Sequence, residues 1–158
     1  MNILFQILKF RLMKTLKLVI IICDGMVALL GFVFALIYLL RPEFMDYHAI
    51  AVHETWAEVD PGFQILIIAL MRVSGGGFLG VSLAITMLLY IFLKQDKVWP
   101  ITAIFFIGQS ILIPTLYATL LVKYHTGANP PWIAAVIAIV ILLVAWILAL
   151  IRKKNKQK

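Results

Sequence analysis

The sequence has few charged residues and almost no cysteine, and both shortages restrict the class of protein to which it can belong. Only 13% of its 158 residues are charged, whereas 64% are hydrophobic. Soluble domains carry about 25% charged and about 45–50% apolar residues. A soluble fold of this length cannot hide so much apolar surface, so we expect lipid to solvate much of it. Cys23 is the single cysteine, which excludes a disulfide framework within one chain.

The chain also lacks the local patterns that mark common activities. It contains no nucleotide-binding loop, catalytic motif or recognised metal-ligand spacing, so no cofactor is expected. Its formal net charge is +7, a value often found in nucleic-acid-binding proteins. Here, however, the basic residues lie at the ends of apolar segments and form no single face that follows phosphates. The charge therefore indicates membrane topology and argues against a nucleic-acid partner.

Four apolar segments each reach the roughly 20 residues that cross a bilayer as a helix. They cover residues 18–40, 63–93, 98–122 and 132–151. Their hydrophobicity is continuous, without the alternation of a membrane β-strand, which favours helices. We expect an all-α fold, an integral membrane four-helix antiparallel bundle. It would form a single domain with an outer loop over 41–62 and a basic tail over 152–158.

The distribution of cations predicts the orientation of the bundle. Only Arg41 and Lys123 flank the segments on one side, whereas eleven of the 14 Lys and Arg residues lie on the other. Because cytoplasmic loops accumulate cations, both termini of this multi-pass chain are predicted to be cytoplasmic. The eleven are Lys9, Arg11, Lys14, Lys17, Lys94, Lys97, Arg152, Lys153, Lys154, Lys156 and Lys158.

Two segments outside the apolar runs have room for structure. Residues 45–59 contain no Gly or Pro and could form a short interfacial helix, followed by a turn at Asp60-Pro61-Gly62. Residues 3–13 mix apolar side chains with cations. They either continue the first span, the interpretation we favour, or form an amphipathic helix on the inner leaflet.

Small residues recur every four positions along the second span, at Gly76, Gly80 and Ala84. On a helix they form one smooth stripe, which lets a neighbouring helix approach closely. Gly31 and Ala35 on the first span offer a matching surface. Close helix packing is the favoured interpretation, and a local break that lines a cavity is the alternative.

Three polar residues inside the apolar segments are candidates for function. Arg72 either extends towards the headgroups or faces inward, where it would bind an anionic headgroup or a carboxylate. Asp24 lies about 10 Å inside the inner surface, too far from Arg72 for an ion pair. It is expected to be protonated, hydrogen-bonded to a hydroxyl or reached by water. Gln109 lies near the midplane and should face a protein partner or water; a contact between helices is favoured, and a ligand pocket is the alternative. Pro114 predicts a kink in the third span.

The outer loop carries four side chains that can ligate metals, but their spacing matches no known site. We favour solvated loop residues, with a metal site as the weaker alternative. The four are His48, His53, Glu54 and Glu58.

Two short motifs resemble those of a class of bacterial membrane proteins. One is Arg72-x-x-Gly75-Gly76 followed by Gly80, and the other is Gly127-x-Asn129-Pro130-Pro131-Trp132. Together they resemble the uncharacterised four-span proteins of DoxX-like type, from the second span to the last, and leave the first outer loop unmatched. The resemblance implies a four-helix bundle in a bacterial inner membrane and little about activity. It also implies importance for five residues, Arg72, Gly76, Gly80, Pro131 and Trp132.

These features favour a protein that binds a lipid-like or small hydrophobic molecule, or a partner subunit, in the outer half of the bundle. The predicted pocket is lined by Arg72, Gln109, Tyr117 and Trp132. One alternative is an accessory or scaffold subunit, with the small-residue stripes as contacts in a homo-oligomer or with a partner membrane subunit. Others are a metal-dependent membrane enzyme that uses the loop His and Glu residues, and an oligomeric transporter or channel. Enzymatic activity stays open, and a binding role is favoured over it.

Overall fold

The computed structural model describes residues 3–157, and the side chains of 6–156, as an all-helical fold. The described residues form five helices: α1 (Ile3–Leu40), α2 (Asp46–Val52), α3 (Pro61–Gln95), α4 (Trp99–Thr126) and α5 (Trp132–Gln157). Four of them, α1, α3, α4 and α5, are long and apolar enough to cross a membrane. The helical nature of the four apolar segments is therefore confirmed.

Much of the surface of the bundle is apolar. In the most apolar window of each long helix, only 17% to 28% of the residues are buried. The others expose large aliphatic side chains, such as Ile65, which is 72% exposed. Water does not tolerate contiguous apolar surfaces of this extent, whereas lipid does. Length, composition and surface thus agree in suggesting a membrane protein.

The four long helices pack as a ring in which α1 lies beside α3 and α5, and α4 lies beside the same two helices. The short connection 96–98 makes α3 and α4 antiparallel neighbours. We name the end that holds this turn, Lys17 and Arg152 the basic end. The opposite end, with residues 41–60 and 127–131, is the loop end. The largest buried core side chains include Ile20, Phe92 and Ile104, towards the basic end.

At the basic end, the carboxylate of Asp96 binds cations from two other helices. Arg152 of α5 donates to both of its oxygens, at 2.7 and 2.9 Å. Lys156 of α5 also donates to it, and the ammonium of Lys17 of α1 lies 3.3 Å away. Burial alone would raise the pKa of Asp96, but the hydrogen bonds from Arg152 and Lys156 hold it well below its usual range. Asp96 therefore stays ionised and connects α1, the α3–α4 turn and α5.

Of the two segments outside the apolar runs, the N-terminal one follows the favoured interpretation, whereas the loop helix is shorter than expected. Helix α1 is one continuous helix of 38 residues, so the N-terminal stretch extends the first span and does not form a separate interfacial helix. The predicted loop helix over 45–59 is shorter, because it ends at His53 in the left-handed conformation, with a φ of 59°. The turn predicted at Asp60-Pro61-Gly62 is wrong. Asp60 is the N-cap of α3 and accepts from the backbone N–H of Gly62, while Pro61 occupies the first helical position, which proline favours.

Replacing Asp96 with Asn should destabilise the bundle, because it removes the charge that pairs with the nearly buried Arg152. The expected loss is about 1.5–3 kcal/mol at pH 7, measured by thermal unfolding in mild detergent. The pKa of Asp96 is lowered in the folded state, so its contribution is present above the ordinary carboxyl pKa of about 4 and is lost as pH falls. The difference in stability between wild type and Asp96→Asn should therefore decrease as the pH falls. Lys97→Gln, in the same turn but exposed, is the control. Equal stability of Asp96→Asn and wild type at pH 7 would contradict this account.

Candidate functional site

A cavity of about 90 Å³ lies between the four long helices, on the side of the bundle towards the loop end. All four helices contribute to its wall, and most of the lining side chains are apolar. The lining comprises Val27, Leu30, Gly31, Phe34, Tyr38, Phe78, Val81, Ser82, Ile85, Gly108, Ile111, Leu112, Thr115, Thr119, Pro131, Ala134, Ala135 and Ala138.

Small residues create this cavity and hold the helices close around it. A Cβ added to Gly31 would lie 2.5 Å from the Ser82 hydroxyl, so α1 and α3 approach closely only because Gly31 has no side chain. Gly108 likewise leaves no room for a Cβ beside Leu142 of α5. Ala35 is fully buried, and its carbonyl lies 3.1 Å from an added Cβ at Gly75. The packing role predicted for Gly31 and Ala35 agrees with these contacts.

The stripe predicted on the second span does not pack within the chain. Gly76 and Gly80 are exposed, and a Cβ added to either would meet nothing within 4 Å. The residue that packs is Gly75, which belongs to a different helix face, about 100° away. The buried positions of α3 instead follow a spacing of three, four and seven residues. They are Met71, Gly75, Ser82, Ile85, Leu89 and Phe92.

Hydroxyl groups form the polar part of the cavity wall. Thr115 donates to the carbonyl of Ile111 at 2.7 Å, and Thr119 donates to that of Thr115 at 2.9 Å. These hydroxyl protons are already used within α4, so towards the cavity the two threonines offer oxygen acceptors. A mainly apolar wall with a few acceptors suits an apolar molecule that carries a polar donor group.

The segment between α1 and α3 covers the loop end of the bundle. The hydroxyl of Tyr38, a cavity-lining residue, forms a 2.6 Å hydrogen bond with that of Tyr47 on α2, and α2 also contacts α4. Phe44 packs edge-on against Trp56, with ring centroids 4.9 Å apart. Burial, and then the hydrogen bond with Tyr38, raise the pKa of Tyr47, which keeps its phenol protonated. Because α1 and α4 are opposite helices of the ring, α2 lies across the bundle axis as a lid.

Arg72 has a role that neither sequence hypothesis included. Its guanidinium donates to the carbonyl of Tyr38 at 2.7 Å and to that of Arg41 at 2.9 Å. These carbonyls belong to the last turn of α1, where backbone acceptors have no partner within the helix. Arg72 therefore caps the end of α1 from α3.

The other three predicted pocket residues also lie outside the cavity wall. Tyr117 is 69% exposed on the outer surface of α4. Trp132 lies at the start of α5, where the ammonium of Lys123 is 4.1 Å from its ring centroid. Gln109 is buried and donates to the carbonyl of Ile139 at a long 3.4 Å, which joins α4 to α5. None of the four residues lines this cavity, so it is not the pocket predicted from Arg72, Gln109, Tyr117 and Trp132.

Two buried polar groups near the cavity lack hydrogen-bond partners within the described part of the chain. Asp24 is 1% exposed, and neither carboxyl oxygen is bonded, as is also true of the side-chain oxygen of Gln109. The hydroxyl of Thr86, which is expected to lie within reach of Asp24, donates instead to the carbonyl of Ser82. Asp24 lies one helical turn from the lining residue Val27, and Gln109 follows the lining residue Gly108 in sequence. An unsatisfied buried group costs about 1–3 kcal/mol, so these two are expensive to keep.

The His and Glu residues of the segment between α1 and α3 do not form a metal cluster. His48 accepts a hydrogen bond from the backbone N–H of Met45, and burial, followed by the charge of Arg41, lowers its pKa. Glu58 accepts from the N–H and the hydroxyl of Thr55, bonds that lower its pKa. His53 and Glu54 are exposed. Over residues 3–157, no three His, Cys, Asp or Glu side chains are placed to hold a metal together.

No protein-family model matches this chain, and neither a curated protein nor a solved structure matches it significantly.

Arg72→Gln should destabilise the fold by about 1.5–3 kcal/mol, because the last carbonyls of α1 lose two hydrogen bonds from a charged donor. The measurement is thermal unfolding in mild detergent. Arg41→Gln is the matched control. The Arg41 side chain pairs with Glu43 and the largely exposed Asp46, and such exposed pairs contribute about 0–1 kcal/mol. Equal effects of the two substitutions would refute the capping role of Arg72.

Proposed function

We propose that this chain is a membrane-embedded binding protein that holds a lipid-like or small apolar molecule in the cavity between its four long helices. The observation that carries the proposal is the cavity itself: about 90 Å³, mainly apolar, walled by all four helices and lying beneath α2. An apolar cavity of about 150 Å³ is known to bind benzene. The space here therefore suits a short or branched apolar segment, with the rest of a longer ligand lying between helices or in the bilayer.

In this proposal the protein is located in the bacterial inner membrane, with the basic end in the cytoplasm. The support is the excess of cations at the basic end, where both described chain ends also lie, and the acidic residues Glu43, Asp46, Glu54, Glu58 and Asp60 at the loop end. The lid α2 would then lie at the outer surface, and the cavity in the outer half of the bilayer. The resemblance to DoxX-like proteins is part of the same proposal.

Assembly with a second copy or a partner subunit is a second candidate function, because the glycine stripe of α3 faces outward. Gly76 and Gly80 are exposed, and a Cβ added to either glycine would meet nothing within 4 Å. Smooth stripes on lipid-facing helices allow close contact with another helix. The same surface would serve a scaffold, or a transporter that needs several copies to line a pore.

Filling the cavity should abolish ligand retention. In Ala138→Leu the added carbons occupy the cavity, and overpacking of this size should lower occupancy by about tenfold or more. The measurement is native mass spectrometry after purification in mild detergent, with a co-purifying apolar molecule of discrete mass expected on wild type. Ala118→Leu on the exposed face of α4 is the matched control and should retain the ligand. Ala134→Leu fills the same cavity from about one helical turn further towards the loop end if the first variant does not fold. No discrete mass on wild type, or equal retention in all variants, would refute the proposal.

A pair of glycine substitutions separates assembly from folding. Gly80→Leu should leave thermal stability near that of wild type and shift the protein from oligomer to monomer, because Gly80 faces outward. Gly31→Leu should instead destabilise the chain itself, since its side chain would collide with Ser82. Light scattering coupled to size exclusion reports the mass, and thermal unfolding the stability. An unchanged oligomeric state in Gly80→Leu would exclude the stripe as the contact.

A further inference from the structure

A second concave surface lies at the basic end, between the start of α1 and the end of α5. It is a groove of about 500 Å³, distant from the apolar cavity and open at the surface. Its charged lining consists of five cations and one acid, a formal charge of +4. These are Lys9, Lys14, Lys17, Asp96, Arg152 and Lys156.

The cations of the groove fall into two sets. Lys17, Arg152 and Lys156 all contact the carboxylate of Asp96, which holds them in place but neutralises only one of their three charges. Lys9 and Lys14 form no ion pair in the described part of the chain. The groove thus combines a fixed guanidinium with two free ammonium groups, and an anion entering it would meet a large excess of positive charge.

The position of the groove matches the headgroup layer of a bilayer. The Nε of Arg152 donates to the carbonyl of Met13 at 3.1 Å. The groove therefore lies beside the part of α1 that comes a few residues before the apolar stretch starting at Leu18. Phe10 is 60% exposed beside the groove, and the ammonium of Lys14 lies 4.5 Å from its ring centroid. Exposed apolar side chains interleaved with lysines are typical of surfaces at the lipid–water interface.

We propose that this groove binds the phosphate of an anionic phospholipid headgroup, with Lys9 and Lys14 as its free ligands. Arg152, whose guanidinium already binds both oxygens of Asp96 and the carbonyl of Met13, adds positive charge to the wall of the groove. Phe10 and its exposed apolar neighbours on α1 contact the acyl chains of the same lipid. The site is independent of the apolar cavity, since the two share no lining residue.

The test is a lipid titration of the full-length protein in mild detergent, followed by native mass spectrometry. The probes are palmitoyl-oleoyl phosphatidylglycerol, the matching phosphatidylcholine, and inorganic phosphate. The phosphatidylglycerol should bind more tightly than the phosphatidylcholine. Lys9→Gln with Lys14→Gln should weaken phosphatidylglycerol binding by about 25-fold, about fivefold for each lysine. Lys9→Arg with Lys14→Arg keeps the charge and should restore binding.

Lys97→Gln with Lys153→Gln is the matched control, because it removes two exposed cations at the same end of the bundle but outside the groove. It should change phosphatidylglycerol affinity by less than about twofold. Equal losses in both double variants would overturn the proposal in favour of a general charge effect. Absence of a preference for phosphatidylglycerol over phosphatidylcholine would also overturn it. Displacement of phosphatidylglycerol by millimolar inorganic phosphate would assign the groove to a free phosphate instead of a lipid.

Discussion

One carboxylate joins the ends of all four long helices. Asp96 lies in the turn between α3 and α4, and it binds Lys17 of α1 together with Arg152 and Lys156 of α5. Charged side chains are expensive inside an apolar bundle, so an arrangement of this kind is stable only at its end. There it holds α1 and α5 beside the α3–α4 turn, and its negative charge reduces the repulsion between the cations of the two helices. The basic groove and the order of the ring both depend on this interaction.

At the opposite end, the bundle is held in a different way, and this difference leaves space for a ligand. Arg72 of α3 caps the last carbonyls of α1, while α2 crosses the bundle axis and bonds to Tyr38. Large side chains such as Phe92 fill the half near the basic end, whereas in the other half alanines form the α5 wall of the cavity, and Gly31 and Gly108 lie in the α1 and α4 walls. The unsatisfied oxygens of Asp24 and Gln109 belong to residues that lie close in sequence to the lining residues Val27 and Gly108. Closed packing and an open, partly polar space thus occupy different halves of one bundle.

The sequence was sufficient to predict the four helices, because continuous hydrophobicity over about 20 residues is a strong and local signal. It was also sufficient for the close approach at Gly31 and Ala35. It was not sufficient for Arg72, whose partners are backbone carbonyls that become neighbours only when α1 ends beside α3.

The packing face of α3 was predicted wrongly for a different reason. A spacing of four residues marks a stripe but does not say which way it faces, and Gly75 and Gly76 differ by about 100° on the helix. The spacing of three, four and seven residues from Met71 to Phe92, which the buried positions follow, would have identified the correct face. The lining of the cavity depends on which face each of the four long helices turns inward. If the inward face of one helix is predicted one residue out of register, residues that face the lipid are predicted to line the cavity. Tyr117 is an example, since it is exposed on the same helix as the lining residues Thr115 and Thr119.

The central claim is that the cavity beneath α2 holds an apolar molecule. The most direct measurement is an experimental structure of the protein purified with its native lipids retained. The account predicts elongated density between the four long helices, in contact with Gly31, Ser82 and Gly108 and ending near Tyr38 or between helices. A cavity closed by side chains, or one filled only by separate water molecules, would contradict it.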